Sequence, residues 1–158
     1  MQTAVSPHTA TNSISSPSIH TDVIHSIVES QAEQRPHAIA VVCDSERLSY
    51  SELNARANQL AHRLRKEGVG PETMVGVYME RGVRTIVAIL GILKAGGCYV
   101  PIDLQYPKDR VAFILENSGA KALVTDAEQR DAVTEFNGAV VRLDDAFRDI
   151  AMSAFVRS

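Results

Sequence analysis

Met74-Val-Gly-Val-Tyr-Met79, then Val83-Arg-Thr-Ile-Val-Ala-Ile-Leu-Gly-Ile-Leu-Lys-Ala95, then Cys98-Tyr-Val-Pro-Ile102 follow one another with short breaks. The outer two runs are short and apolar, as strands are, and the middle one is long enough for a helix. A strand, a helix and a second strand in this order imply a right-handed crossover and a parallel pair. In the middle run Ile86, Val87, Ile89, Leu90, Ile92 and Leu93 leave little polar surface, so this helix is expected to lie between two layers. The alternation continues downstream. Pro107 to Asn117 reads as a helix with proline at its start, Lys121 to Thr125 as a strand, Ala127 to Phe136 as a helix and Ala139 to Leu143 as a last strand. The expected fold class is α/β, a mostly parallel sheet with helices on both faces.

Upstream, Ser49 and Glu52 have the spacing of a capping box, in which the hydroxyl takes an orphan amide and the carboxylate reaches back. Leu53, Ala57, Leu60, Ala61 and Leu64 then form a stripe at helical spacing, Gly68 fits the C′ position and Pro71 blocks continuation. Before that helix, Ala38 to Cys43 reads as a strand, Asp44-Ser45-Glu46 as a turn and Arg47-Leu48-Ser49 as the return of a hairpin. A first helix begins with Asp22 as cap, places Val23, Ile24, Ile27 and Val28 on one face, and ends before Pro36.

Residues 1–21 differ in texture, holding nine Ser or Thr and few apolar side chains. They are expected to be a disordered tail, because they bury too little surface to offset ordering entropy. Residues 22–145 form the folded portion, and 146–158 have no assigned role. A net charge of −3 argues against nucleic-acid binding. The longest apolar stretch, Ile86 to Leu93, is far below the roughly 20 residues a membrane span needs. Two cysteines make no disulfide framework. With no basic residue before Arg35 there is no secretory or transit signal, and a cytoplasmic location is expected.

The residues offer no self-contained active site. His8, His20, His25, His37 and His62 show no metal-ligand spacing and read as surface histidines. Cys43 and Cys98 fall on separate strands, where a small buried side chain is the usual role. Gly68-Val-Gly70 precedes a strand, and Gly96-Gly97 lacks the Gly-Lys-Ser/Thr ending of a phosphate loop. Helix termination and tight packing account for both pairs. Catalytic, cofactor-binding and metal-binding residues are therefore expected to be none.

Two stretches carry a resemblance. Leu48-Ser-Tyr-Ser-Glu-Leu-Asn54 resembles the first core motif of nonribosomal peptide synthetase adenylation domains, and Leu93-Lys-Ala-Gly-Gly-Cys-Tyr-Val-Pro-Ile-Asp103 resembles their second. Asn54-Ala-Arg-Ala-Asn58, Gly68-Val-Gly-Pro71, Glu80-Arg81 and Tyr106-Pro107 with Arg110 fit the same pattern, while Leu104 stands where a proline is usual. The resemblance covers about residues 20–145.

It implies a partial adenylate-forming fold, the N-terminal part of an AMP-binding domain ahead of the Ser/Thr/Gly-rich phosphate loop. The complete family enzyme activates an amino or aryl acid with ATP and magnesium and passes it to a carrier phosphopantetheine. This chain is expected to be a truncated fragment, inactive alone and without a cofactor of its own. The alternatives are an interaction or regulatory protein docking on a full-length synthetase, and half of a split adenylating enzyme. The expected partners are the remainder of a synthetase or a second copy, since missing layers would expose apolar surface and an unpaired strand edge.

Overall fold

The computed structural model describes residues 23–126 and 133–144. The helix α1 (Ile24–Gln34) leads into an antiparallel hairpin of β1 (Ile39–Cys43) and β2 (Glu46–Ser49). Then come α2 (Tyr50–Lys66), β3 (Met74–Tyr78), α3 (Val83–Lys94), β4 (Cys98–Pro101), α4 (Lys108–Ser118), β5 (Ala122–Thr125) and β6 (Ala139–Arg142). The last four strands form one parallel sheet in the order β4-β3-β5-β6.

The pleat of this sheet sorts the core. Val75, Val77, Val124 and Val141 face Leu60 and Leu64 of α2 and Ala88 and Ile92 of α3. Tyr78 and Leu123 face the opposite way, against Val111 and Leu115 of α4. Helices therefore cover both faces, as expected. The helix α3 is also sandwiched, since its Val83, Val87 and Leu90 meet Leu48, Leu53 and Ala57 on the hairpin side. A helix that is apolar nearly all round is stable only between layers.

Helix α2 follows its sequence signals closely. Ser49 Oγ accepts from the Glu52 amide at 3.3 Å, and Glu52 accepts from the Ser49 amide at 2.8 Å. Those bonds to Ser49 hold the Glu52 carboxyl below its ordinary range. All five stripe residues are buried. Gly68 sits at φ +89°, a conformation that disfavours side chains, and the Val69 amide closes back on the Leu64 carbonyl. Replacing Ser49 by Ala is expected to lower stability by about 1 kcal/mol. Chemical denaturation of the two proteins checks this, and an unchanged midpoint would contradict it.

Other expectations need correcting. Helix α1 is capped at Val23, whose side chain makes no cap hydrogen bond; Asp22 lies outside the described residues. The apolar side of α1 is not buried: Val23, Ile24 and Ile27 are exposed, and only Val28 joins the core. The helix expected over Ala127 to Phe136 does not reach Phe136, because residues 133–135 form a short turn closed by Phe136 N–H to Val133 O. Residues 127–132 lie outside the described part, as do 1–22 and 145–158. Pro107 stands at the cap of α4 and not in its first turn, so its missing donor falls where none is needed.

Candidate functional site

In an open α/β sheet, ligands bind beyond the carboxyl ends of the strands, where successive crossovers run to opposite sides. Here that point lies between β3 and β5. The chain leaves β3 through α3 to reach β4 on one side, and returns through α4 to β5 on the other. The residues at this end are Glu80 and Arg81 after β3, Asp103 after β4, Thr125 and Asp126 at the end of β5, and Asp144 after β6.

Their bonds are those of a framework. Arg84, in the first turn of α3, pairs with Asp144 at 2.9 Å and ties the ends of β3 and β6 together. Thr85 Oγ1 donates to the Glu80 carbonyl at 2.6 Å. Asp103 Oδ1 accepts from the Gln105 amide at 2.9 Å and shapes the turn into α4. Thr125 is fully buried and donates to the Asp126 carbonyl. No three His, Cys, Asp or Glu side chains among the described residues converge as metal ligands. A concavity of about 1130 Å³ lies at the opposite end of the sheet. It is lined by Thr73, Lys121 and Gly138, which precede β3, β5 and β6.

The motif residues have structural positions. Lys94 ends α3 with a side chain only 3% exposed, and its Nζ is bonded to Glu29 of α1. Lys94 holds the Glu29 carboxyl below its ordinary range. The Arg65 guanidinium donates to the Lys94 carbonyl, joining α2 to the same corner. Gly96 adopts φ +89° to end the helix, and a Cβ on Gly97 would come within 3.1 Å of the Thr73 carbonyl. Arg110 lies over the Phe113 ring at 5.5 Å on the outer side of α4. The pairing of Lys94 with Glu29 is invisible in either motif. Its one signal in the sequence is a lysine closing an otherwise apolar helix.

The histidines and cysteines divide. His37 and His62 are exposed as expected, His25 is half-buried with Nδ1 enclosed, and His8 and His20 lie outside the described residues. Cys43 is half-buried. Cys98 is exposed, against expectation, because β4 ends the sheet formed by the described residues.

The sequence profile of the AMP-binding enzyme family matches residues 28–152. The chain belongs to that family. Gramicidin S synthase 2 of Brevibacillus brevis is 47% identical over 122 residues, which is 77% of this chain and 3% of that protein. Tyrocidine synthase 1 of Brevibacillus parabrevis is 44% identical over 83% of this chain and 12% of its own length. Among solved structures, the nonribosomal peptide synthetase FmoA3 with bound alpha-methyl-L-serine-AMP superposes with a TM-score of 0.75 at 39% identity, covering 80% of this chain and 14% of that one. This AMP-binding chain thus corresponds to the N-terminal portion of a nonribosomal peptide synthetase adenylation domain, and spans a small part of the synthetases it resembles. The motifs Leu48–Asn54 and Leu93–Asp103 act in it as a helix cap and a helix-to-strand corner.

Proposed function

We propose that this chain supplies the first α/β layer of an adenylation domain that activates an amino or aryl acid with ATP in nonribosomal peptide biosynthesis, in the cytoplasm, and that it does not catalyse adenylation alone. The observation that carries this reading is the family match over residues 28–152, combined with motif residues that are engaged in folding. Adenylyl transfer needs donors and cations fixed around the phosphates. The acidic residues at the carboxyl end of the sheet do not fit a magnesium site: Asp144 is taken by Arg84 and Asp103 by its own turn. No step is therefore assigned to a metal on these residues. Their part is to hold the sheet against which the remainder of the domain folds. No helix among the described residues is long and apolar enough to cross a membrane.

The test is ATP–pyrophosphate exchange with a panel of amino and aryl acids. The purified chain is expected to give no exchange above background. Co-expression with the complementary remainder of a related adenylation domain is expected to give a soluble complex. Exchange by the chain alone would overturn the proposal, and so would failure to form any complex with that remainder.

A further inference from the structure

The parallel sheet of the described residues has two outer edges, and they differ. On β4 the amides of Cys98 and Ile102 donate to the Thr73 and Val77 carbonyls of the β3 side, at 2.8 and 2.9 Å. Since successive residues alternate, Tyr99 and Pro101 turn their backbone groups outward. Pro101 has no N–H, so this edge offers a single outward donor along the strand, the usual placing of proline on an edge. On β6 the Ala139 amide donates to the Lys121 carbonyl at 3.1 Å. Val140 and Arg142 therefore direct N–H and C=O away from β5. No proline or inward charge blunts Ala139-Val-Val-Arg142, and Val140 is 42% exposed.

We infer that the β6 edge is an interaction surface whose partner is a second copy of this chain, added antiparallel through β6. The strand is self-complementary in that arrangement. A two-fold axis perpendicular to the sheet at Val140 sets the two Val140 residues opposite each other as a hydrogen-bonded pair, each donating to the carbonyl of the other. It places Ala139 opposite Val141 and Gly138 opposite Arg142, so the two guanidinium groups stand at opposite ends and no like charges meet. The four-stranded sheet becomes one of eight, and the valine pair loses its contact with water on both copies. The other edge cannot do this, because a symmetric pairing there meets Pro101. The inference is independent of the proposed role in adenylation, since it concerns the chain by itself.

Light scattering on the full chain across a dilution series tests it. The wild type is expected to be dimeric at the upper end and to dissociate on dilution. Val140→Lys and Val140→Glu, at an exposed position, are each expected to raise the dissociation constant about tenfold or more, because like charges then face each other across the axis. Mixing the two variants is expected to restore a one-to-one dimer. Tyr99→Lys on the β4 edge is expected to leave assembly unchanged. A monomeric wild type, a dimer indifferent to both Val140 variants, failure of the mixture to re-pair, or loss of the dimer in Tyr99→Lys would each overturn it. Circular dichroism on every variant separates these outcomes from unfolding.

Discussion

Leu60→Ala is expected to lower unfolding free energy by about 2–5 kcal/mol. Leu60 is fully buried at the crossing of α2 and α3, and it fills the slot that Gly91 leaves open. A Cβ on Gly91 would fall 2.6 Å from Leu60 Cδ2 and 2.9 Å from its Cβ. Truncating Leu60 opens a cavity there, and α3 cannot settle into it because its other side is held by the hairpin layer at Val83, Val87 and Leu90. Urea unfolding followed by circular dichroism measures the loss. The same crossing makes a second, coupled forecast. Gly91→Ala is expected to destabilise the wild type, as overpacking of about 1–3 kcal/mol exceeds the roughly 1 kcal/mol of helix propensity that alanine gains. In the Leu60→Ala background most of that penalty is expected to vanish, since the obstructing methyls are gone. Strict additivity of the two substitutions would show that they do not share this contact.

Glu29→Gln carries the second large effect, an expected loss of about 1–3 kcal/mol at neutral pH. It leaves the Lys94 ammonium buried without its anion. The loss stays below the roughly 3–5 kcal/mol typical of a broken, wholly buried pair, because the Glu29 side chain is 46% exposed and water reaches that half. Adding Lys94→Met removes the stranded charge, so the double variant is expected to be more stable than Glu29→Gln alone. The pH dependence has a definite sign. Hydrogen bonding to Lys94, with its charge and that of His25, holds the Glu29 pKa below the unfolded value. The pair's contribution is therefore complete above the ordinary glutamate pKa of about 4.3 and is lost as pH falls through the lower folded value. Denaturation midpoints from neutral to acid pH check this. Wild type and Glu29→Gln should converge on acidification, and parallel curves would contradict the assignment.

The two sites differ in how legible they are in the sequence. The capping box at Ser49 and Glu52, the stripe from Leu53 to Leu64 and the stop at Gly68 depend on residues three or four apart. A linear pattern records such interactions in full. The strand-helix-strand order around Val83 to Ala95 is legible for a similar reason, because an apolar helix has only one stable place, between layers. Spacing alone shows no catalytic constellation, and the fold engages Asp103 and Asp144 in a turn and an ion pair.

Interactions that join distant residues leave no such trace. Glu29 and Lys94 are 65 positions apart, and neither looks unusual in its own helix. Helix α1 has an apolar face by periodicity, yet it turns Glu29 toward the core and leaves Ile24 and Ile27 in water, because the ion pair and Val28 set its rotation. Gly91 reads as an ordinary weak spot in a helix until Leu60 is seen against it. Strand order is likewise a tertiary property. Cys98 reads as an interior residue, but it lies at an edge because β5 pairs with β3 on the side away from β4. Local hydrogen bonding and hydrophobic periodicity determined which elements form and which layers they build. Only the folded chain decided which strand ends a sheet, which glycine admits a neighbour and which lysine finds a carboxylate, since these depend on distances that sequence separation does not encode.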